Sequence, residues 1–185
     1  MRRSRLTAAD LRAQKGEHQF TMVRTTEWPS LEAAEKAGVE MVSVPPEMMA
    51  DPRFRDVAPA VSAVPGVSFF EPGTPDDFTR WAFTMLKASA DAVYCSASLR
   101  TIRRLAEDNV LVIGHVGLIP SRNTWPGGFK AVGKTAESAM AASRAVKALE
   151  EAAAFGAEIE VVPAEVTAEI AKRTSLFLVS MGAGT

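Results

Sequence analysis

Short apolar runs alternate with helix-like segments along the chain, and this alternation constrains the fold more than any other feature of the sequence. The predicted strands cover residues 20–23, 40–44, a stretch within 61–70, 92–95, 110–113, 159–162 and 176–179. The predicted helices between them cover residues 6–15, 30–38, 74–89, 99–107, 135–154 and 164–173. Strands and helices that alternate at this spacing are typical of a parallel sheet covered by helices.

This pattern predicts an α/β fold, and more narrowly a (β/α)8 TIM barrel. No GxGxxG motif follows the first strand, which argues against an open dinucleotide-binding sheet. The roughly seven strands do not close an eight-stranded barrel. Either the last βα unit is missing from this chain or a partner supplies closure, and the strand-like end at residues 176–185 favours the first interpretation. We therefore predict a single barrel domain over residues 1–185 that is incomplete at its C-terminus.

Capping and breaking residues place several of these boundaries. Thr7 and Thr74 are predicted helix N-caps, and Pro75 follows Thr74 at the first helical position, where proline is favoured. Gly38 is a predicted helix stop, and Pro45 ends the second strand because proline cannot donate to a strand ladder.

The composition argues against several classes of protein. The net charge of -1 gives no electrostatic reason to expect nucleic acid or an anionic membrane as a partner. No apolar run approaches the ~20 residues that a membrane-spanning helix needs. The single cysteine, Cys95, cannot form an internal disulfide, and the basic start is not followed by the apolar segment of a signal peptide. A cytoplasmic location is the expectation.

The stretch with the strongest functional signal runs over residues 109–135. Its apolar run at 110–113 ends at Gly114 and is predicted to present His115, followed closely by Gly117, at the carboxyl end of a strand. Sites in α/β folds are built at such strand ends. His115 is therefore a candidate functional residue, the alternative being a hydrogen-bonded structural histidine.

Residues 128–135, GFKAVGKT, match the phosphate-binding pattern GxxxxGK[ST] letter for letter. In a P-loop, Lys134 would contact phosphates and Thr135 a magnesium ion. A P-loop follows a strand directly, however, and residues 121–127, SRNTWPG, are not strand-like. No strand ending in aspartate follows to complete such a site. We therefore reject nucleotide hydrolysis.

Four ordered motifs resemble those of the ketopantoate hydroxymethyltransferase family. They are GHVGLIP at 114–120, GGFK at 127–130, EVVP at 160–163 and MGAG at 181–184. The likeness is good from about residue 91 onward and weaker but collinear from residue 6.

The resemblance implies a (β/α)8 barrel of the phosphoenolpyruvate mutase/isocitrate lyase superfamily. It also implies a reaction of pantothenate biosynthesis, in which a proton is removed from the carbon next to the ketone of 3-methyl-2-oxobutanoate. The resulting enolate takes a hydroxymethyl group from methylenetetrahydrofolate, and in the family Mg²⁺ chelates the 2-oxo acid. The implied partners are this small-molecule substrate and further copies of the chain in a homo-oligomer.

The resemblance also assigns roles to single residues. Glu160 falls on the family's general base, and His115 on a histidine that binds substrate. Tyr94 and Ser96 stand where the family has a substrate lysine and a metal-proximal glutamate, and their shared strand parity lets both face the barrel interior. Lys130 is expected on a loop, where it meets an anionic substrate or cofactor or is simply solvated.

Strand parity bears on two further residues. Glu158 lies two positions before Glu160 and is expected on the same side of the strand, so that Glu160 could instead be a salt-bridged structural carboxylate. Cys95, with the opposite parity to Tyr94 and Ser96, is expected to be a core thiol and not a nucleophile.

The family's metal ligands are replaced in this chain. Their positions align with Pro46, Gly66 and Ser96, which offer no carboxylate, so that Mg²⁺ binding there is doubtful. Glu47 and Glu71 lie nearby in sequence and are the only replacements we can suggest. Two alternatives to the family reaction follow: a related lyase or mutase acting on a different 2-oxo acid, and a non-catalytic barrel that has lost its metal.

Overall fold

A computed structural model describes residues 4–66 and 73–184, and every statement about structure below concerns these residues. The helices are α1 (Ala8–Ala13), α2 (Trp28–Ala37), α3 (Pro46–Ala50), α4 (Phe54–Val57), α5 (Pro75–Lys87), α6 (Leu99–Glu107), α7 (Ala136–Glu151) and α8 (Ala164–Ala171), with a 3₁₀ turn at Pro120–Arg122. The strands are β1 (Met22–Arg24), β2 (Met41–Val44), β3 (Ser62–Pro65), β4 (Val93–Tyr94), β5 (Val112–Gly117), β6 (Gly156–Glu160) and β7 (Phe177–Met181). The alternation of strands and helices predicted from the sequence is confirmed.

The described chain divides into two compact units, the first ending at Tyr94 and the second beginning at Cys95. In the first unit β1, β2 and β3 pair in parallel in that order, and a bridge between Gly66 and Tyr94 continues this arrangement. All four residues of both β2 and β3 are buried, as expected for a parallel sheet covered by helices.

In the second unit β5, β6 and β7 also pair in parallel in that order. The register sets His115 opposite Glu158, and Gly117 opposite Glu160. Cys95, at the start of this unit, donates its backbone N–H to the carbonyl of Ile113, 3.0 Å away. The parallel pairing in both units agrees with the α/β barrel prediction, whereas the extent of a single domain over 1–185 stays a prediction.

Helix caps match the sequence signals closely. Thr7, Thr74 and Thr135 each accept a hydrogen bond from the backbone N–H three residues on, and each forms a capping box. Gly38 ends α2 in the left-handed conformation, with φ of 82°. The start of that helix was predicted wrongly at residue 30; it begins at Trp28 because the following proline occupies an early helical position that tolerates it.

The bounds of β5 and β6 also differ from the prediction. β5 does not end at Gly114 but continues to Gly117, so His115 lies within the strand and not beyond it. β6 covers Gly156–Glu160 instead of 159–162. Its first residue packs tightly against β7, since a Cβ on Gly156 would lie 2.5 Å from the carbonyl oxygen of Phe177. Residues 67–70 of the third predicted strand lie outside the described residues.

Candidate active site

Two adjacent strands of the second unit bring together His115 from β5 with Glu158 and Glu160 from β6. His115 Nε2 lies 3.0 Å from Glu160 Oε2 and 3.5 Å from Glu158 Oε1. The two glutamates project from one side of β6 because side chains two positions apart share a face of a strand. The structure thus brings together the predicted base, Glu160, and the predicted substrate ligand, His115.

Glycines in β5 allow this close approach. A Cβ on Gly114 would lie 2.6 Å from Cδ2 of Leu149, so the strand packs directly on α7 at this position. Gly117 has φ of 92°, and a Cβ there would lie 2.2 Å from the backbone oxygen of Glu160. Only glycine combines that conformation with that contact, which holds the end of β5 against the residue that carries the candidate base.

The chain turns sharply just after Glu160. Val161 has φ of 49°, a left-handed conformation that is costly for a β-branched residue. Its backbone is fixed on both sides: its N–H donates to the carbonyl of Met181 over 2.8 Å, and its own carbonyl accepts from Val132 N–H over 3.0 Å. These bonds to β7 and to the loop before α7 hold the strained turn and fix where β6 ends.

The cluster carries more negative than positive charge. The side chains of Glu158 and Glu160 are 8% and 12% exposed, and among the described residues neither forms an ion pair with a lysine or arginine. The cluster holds two carboxyl groups and one imidazole, so with both carboxyls ionised the negative charge exceeds the positive charge. Burial raises the pKa of the Glu160 carboxyl above its ordinary value; the nearby His115 works in the opposite direction, and the negative charge of Glu158 adds to the rise.

Within the described part of the chain, these three side chains also have the spacing that a metal site needs. One ligand atom from each of His115, Glu158 and Glu160 lies within 4.8 Å of the others.

The positions that the resemblance aligns with the family's metal ligands carry no side-chain carboxylate in this chain. Pro46 begins α3, and the position of Gly66 faces Tyr94, whose Cβ would be 3.5 Å from a Cβ at the glycine. The backbone carbonyl of Ser96 accepts a 2.7 Å hydrogen bond from Arg122 Nη2. Glu47 is exposed on α3, and Glu71 lies outside the described residues.

The other residues that the sequence predicts for the site differ in their surroundings. Tyr94, in the first unit, points its hydroxyl at Met22 Sδ, 3.4 Å away. Lys130 is exposed, and its amine folds back to within 3.1 Å of where a Cβ on Gly127 would be. Cys95 is buried, and this burial raises the pKa of its thiol to about 11, which agrees with a core thiol and not a nucleophile.

The rejection of the P-loop agrees with the structure. The segment before residues 128–135 is a 3₁₀ turn and loop, not a strand, and Thr135 serves as the N-cap of α7. Sequence reasoning missed Arg122, which holds the backbone at Ser96. It also gave Glu158 no role of its own, although strand parity already indicated its position.

The comparisons with known proteins agree with one another. The family model described as ketopantoate hydroxymethyltransferase matches residues 61–185. A 3-methyl-2-oxobutanoate hydroxymethyltransferase of Pyrobaculum aerophilum is 32% identical, over 92% of this chain and 74% of that protein. The enzyme of the same name from Thermus thermophilus is 31% identical and covers 97% of this chain and 77% of that protein.

Solved structures show the same kind of fold at much lower identity. A putative lyase/mutase from Burkholderia cenocepacia superposes with a TM-score of 0.68 at 10% identity, covering 94% of this chain and 71% of that one. Phosphonopyruvate hydrolase, solved in complex with oxalate and Mg²⁺, has a TM-score of 0.63 at 15% identity, covering 96% and 81%. These likenesses confirm the α/β barrel type of fold. Among the described residues, no helix has the length and apolar character to cross a bilayer.

Proposed function

Because this chain belongs to the ketopantoate hydroxymethyltransferase family and is a hydroxymethyltransferase-like enzyme, we propose that its carbon–carbon bond-forming step is carried out at Glu160 and His115. The observation that supports this best is their 3.0 Å contact across two neighbouring strands, between the last residue of β6 and a residue two positions before the end of β5. A carboxylate in that position can act as a base, and the imidazole beside it can donate a hydrogen bond.

In the proposed reaction, the Glu160 carboxylate takes a proton from the carbon next to the ketone of 3-methyl-2-oxobutanoate. The electron pair of the broken C–H bond becomes the enolate, whose oxygen accepts a hydrogen bond from His115. The raised pKa of Glu160 suits this work, because a carboxylate with a higher pKa is a stronger base. The enolate carbon would then form the new bond to the one-carbon unit, the carbon–nitrogen bonds to the folate would break, water would supply the hydroxyl group, and tetrahydrofolate would leave.

Methylenetetrahydrofolate would supply that one-carbon unit. The loop between the 3₁₀ turn and α7 suits it: Trp125 and Phe129 are 83% and 71% exposed, and Lys130 is exposed between them and α7. Aromatic faces can stack on a pterin ring, and lysine amines can pair with the glutamate carboxylates of a folate. We include Lys130 in the proposed site on this basis, and Tyr94 and Ser96 on the resemblance alone.

We further propose that the enzyme works in the cytoplasm as a homo-oligomer. The single buried cysteine is compatible with a reducing compartment. Light scattering on purified protein would measure the number of chains in the particle, and a mass equal to one chain would contradict the oligomer.

The base assignment is tested by solvent exchange. In D₂O, wild type is expected to exchange the hydrogen next to the ketone of 3-methyl-2-oxobutanoate, followed by proton NMR. Glu160→Gln removes the base and keeps the shape, so exchange should slow by about 10²–10⁴-fold. Glu151→Gln, a change of the same type on the exposed surface of α7, is the control and should exchange at the wild-type rate. Wild type that exchanges no 2-oxo acid would contradict the proposal.

A further inference from the structure

We propose that His115, Glu158 and Glu160 together bind one divalent cation of the Mn²⁺, Fe²⁺ or Zn²⁺ kind. The site is distinct from positions 46, 66 and 96, where this chain offers proline, glycine and serine. It goes beyond the proposed function, because cation binding can be measured whether or not the chain is active.

The distances between the ligand atoms fit a coordination sphere. Atoms bound at about 2.1 Å to one ion lie about 3.0 Å apart at an octahedral angle and about 3.4 Å apart at a tetrahedral angle. His115 Nε2 lies 3.0 Å from one glutamate oxygen and 3.5 Å from the other. All three ligand atoms lie within 4.8 Å of one another, so small side-chain rotations would bring them around one ion.

Glu158 gives an independent reason to expect a ligand. Its side chain is 8% exposed, and its contact with His115, at 3.5 Å, is longer than a good hydrogen bond. Its ion pair is with His115 Nε2, the same atom that Glu160 approaches more closely. One nitrogen carries at most one proton and cannot serve two carboxylates fully. A buried carboxylate without a donor of its own is costly, and a divalent cation removes that cost.

The ligand types indicate which cations are suitable. Imidazole favours zinc and iron, whereas carboxylates favour manganese and magnesium. A site with one imidazole and two carboxylates therefore suits Mn²⁺, Fe²⁺ or Zn²⁺. Three protein ligands leave coordination positions open, as in catalytic metal sites. A 2-oxo acid could occupy two of them through its carboxylate and keto oxygens.

Cation binding is compatible with a base at Glu160, but His115 Nε2 cannot both ligate the cation and donate a hydrogen bond, so the cation would take over the stabilisation of the enolate oxygen. A carboxylate can bind a cation through one oxygen, and ligation through Oε2 leaves Oε1 to accept the proton. This step alone rests on the proposed function. The bound cation would also act as a Lewis acid on the 2-oxo acid, and its three protein ligands all belong to the second unit.

The test uses Mn²⁺ as the probe on EDTA-treated full-length protein. Free Mn²⁺ is measured by electron paramagnetic resonance, and the thermal midpoint is recorded with and without the ion. Wild type should bind one Mn²⁺ per chain and gain thermal stability from it. Glu158→Gln should bind at least about tenfold more weakly, since even the partners of metal ligands contribute that much. Glu151→Gln should bind as wild type does.

Solvent exchange is measured on the same samples, so that failure of the cation site can be distinguished from failure of the proposed function. Wild type that binds no Mn²⁺ at millimolar concentration, or Glu158→Gln that binds it as tightly as wild type, overturns the cation site. Exchange that persists in that case leaves the proposed function intact. Conversely, Mn²⁺ binding without exchange supports the cation site and contradicts the proposed function. If circular dichroism shows that Glu158→Gln is unfolded, His115→Gln takes its place with the same expected loss.

Discussion

The two units each contain a cluster of partly or wholly buried charges, and these clusters are built differently. In the first unit, Arg55 donates to Asp91 and to backbone carbonyls, among them that of Val61 at 2.9 Å. Asp91 in turn accepts from the backbone N–H of Ala63 over 2.8 Å. In the second unit, two glutamates compete for one nitrogen of His115.

The difference is the one expected between a cluster that stabilises the fold and a cluster that carries the proposed chemistry. The cluster around Arg55 pairs opposite charges and ties together backbone segments far apart in sequence, so it stabilises the unit. The cluster around His115 has excess negative charge and ties down little backbone, so it is costly to the fold. Groups that are costly to the fold and lie at strand ends are characteristic of functional sites.

The largest stability effect is expected from Arg55→Met. The substitution keeps most of the apolar stem but removes a buried charged partner of Asp91, which keeps Arg5 and the Ala63 N–H, and a donor to several carbonyls. It should lower the free energy of unfolding by about 2–4 kcal/mol. Urea denaturation followed by circular dichroism measures it. Arg80→Met, at an exposed position on α5, is the control and should change little. A loss no larger than that of the control would remove the contrast between the two clusters.

A smaller effect, confined to the second unit, is expected from Gly117→Ala. The new Cβ would meet the backbone oxygen of Glu160, so we expect a loss of about 1–3 kcal/mol from overpacking and a slower exchange reaction as the base is displaced. Gly128→Ala is the matched control, because that glycine also has a positive φ but has no neighbouring atom within 4 Å of where its Cβ would lie. Equal losses in the two variants would show that only backbone conformation matters.

The smallest effect is expected in the pH dependence of stability, measured on EDTA-treated protein. Because the folded state raises the pKa of Glu160 above 4.5, the folded state holds its proton more tightly than the unfolded chain does. Stability should therefore fall as pH rises from about 4.5 until Glu160 is ionised. Glu160→Gln has no such proton, so its thermal midpoint should change less over that window and be higher at neutral pH. A wild-type midpoint that rises with pH there, relative to the variant, would contradict the sign.

Local signals made much of the fold predictable. Residues 99–107 were predicted as a helix with the observed boundaries, and the capping threonines marked the starts of α1 and α5. Such features depend on neighbours within a few positions. The start of β6 was missed because Gly156 and the alanine after it have weak strand propensity, and only their packing against β7 explains them.

The site was predictable in part. Motifs singled out His115 and Glu160, and strand parity put Glu158 beside Glu160. The register between β5 and β6, and hence the sharing of one nitrogen by two carboxylates, depends on packing that the sequence does not display. The partners of Arg55 were hidden for the same reason, since Asp91 lies 36 positions away along the chain.

The left-handed backbone of Val161 has a consequence for protein engineering. Glycine would adopt this conformation at lower cost, so a library screened for thermal stability alone would be expected to enrich substitutions at this position. Glycine would also restrict the backbone less, so that the hydrogen bonds to Met181 and Val132 alone would hold the peptide that follows Glu160. Selection for heat stability would then favour glycine at position 161, whereas selection for turnover would favour valine.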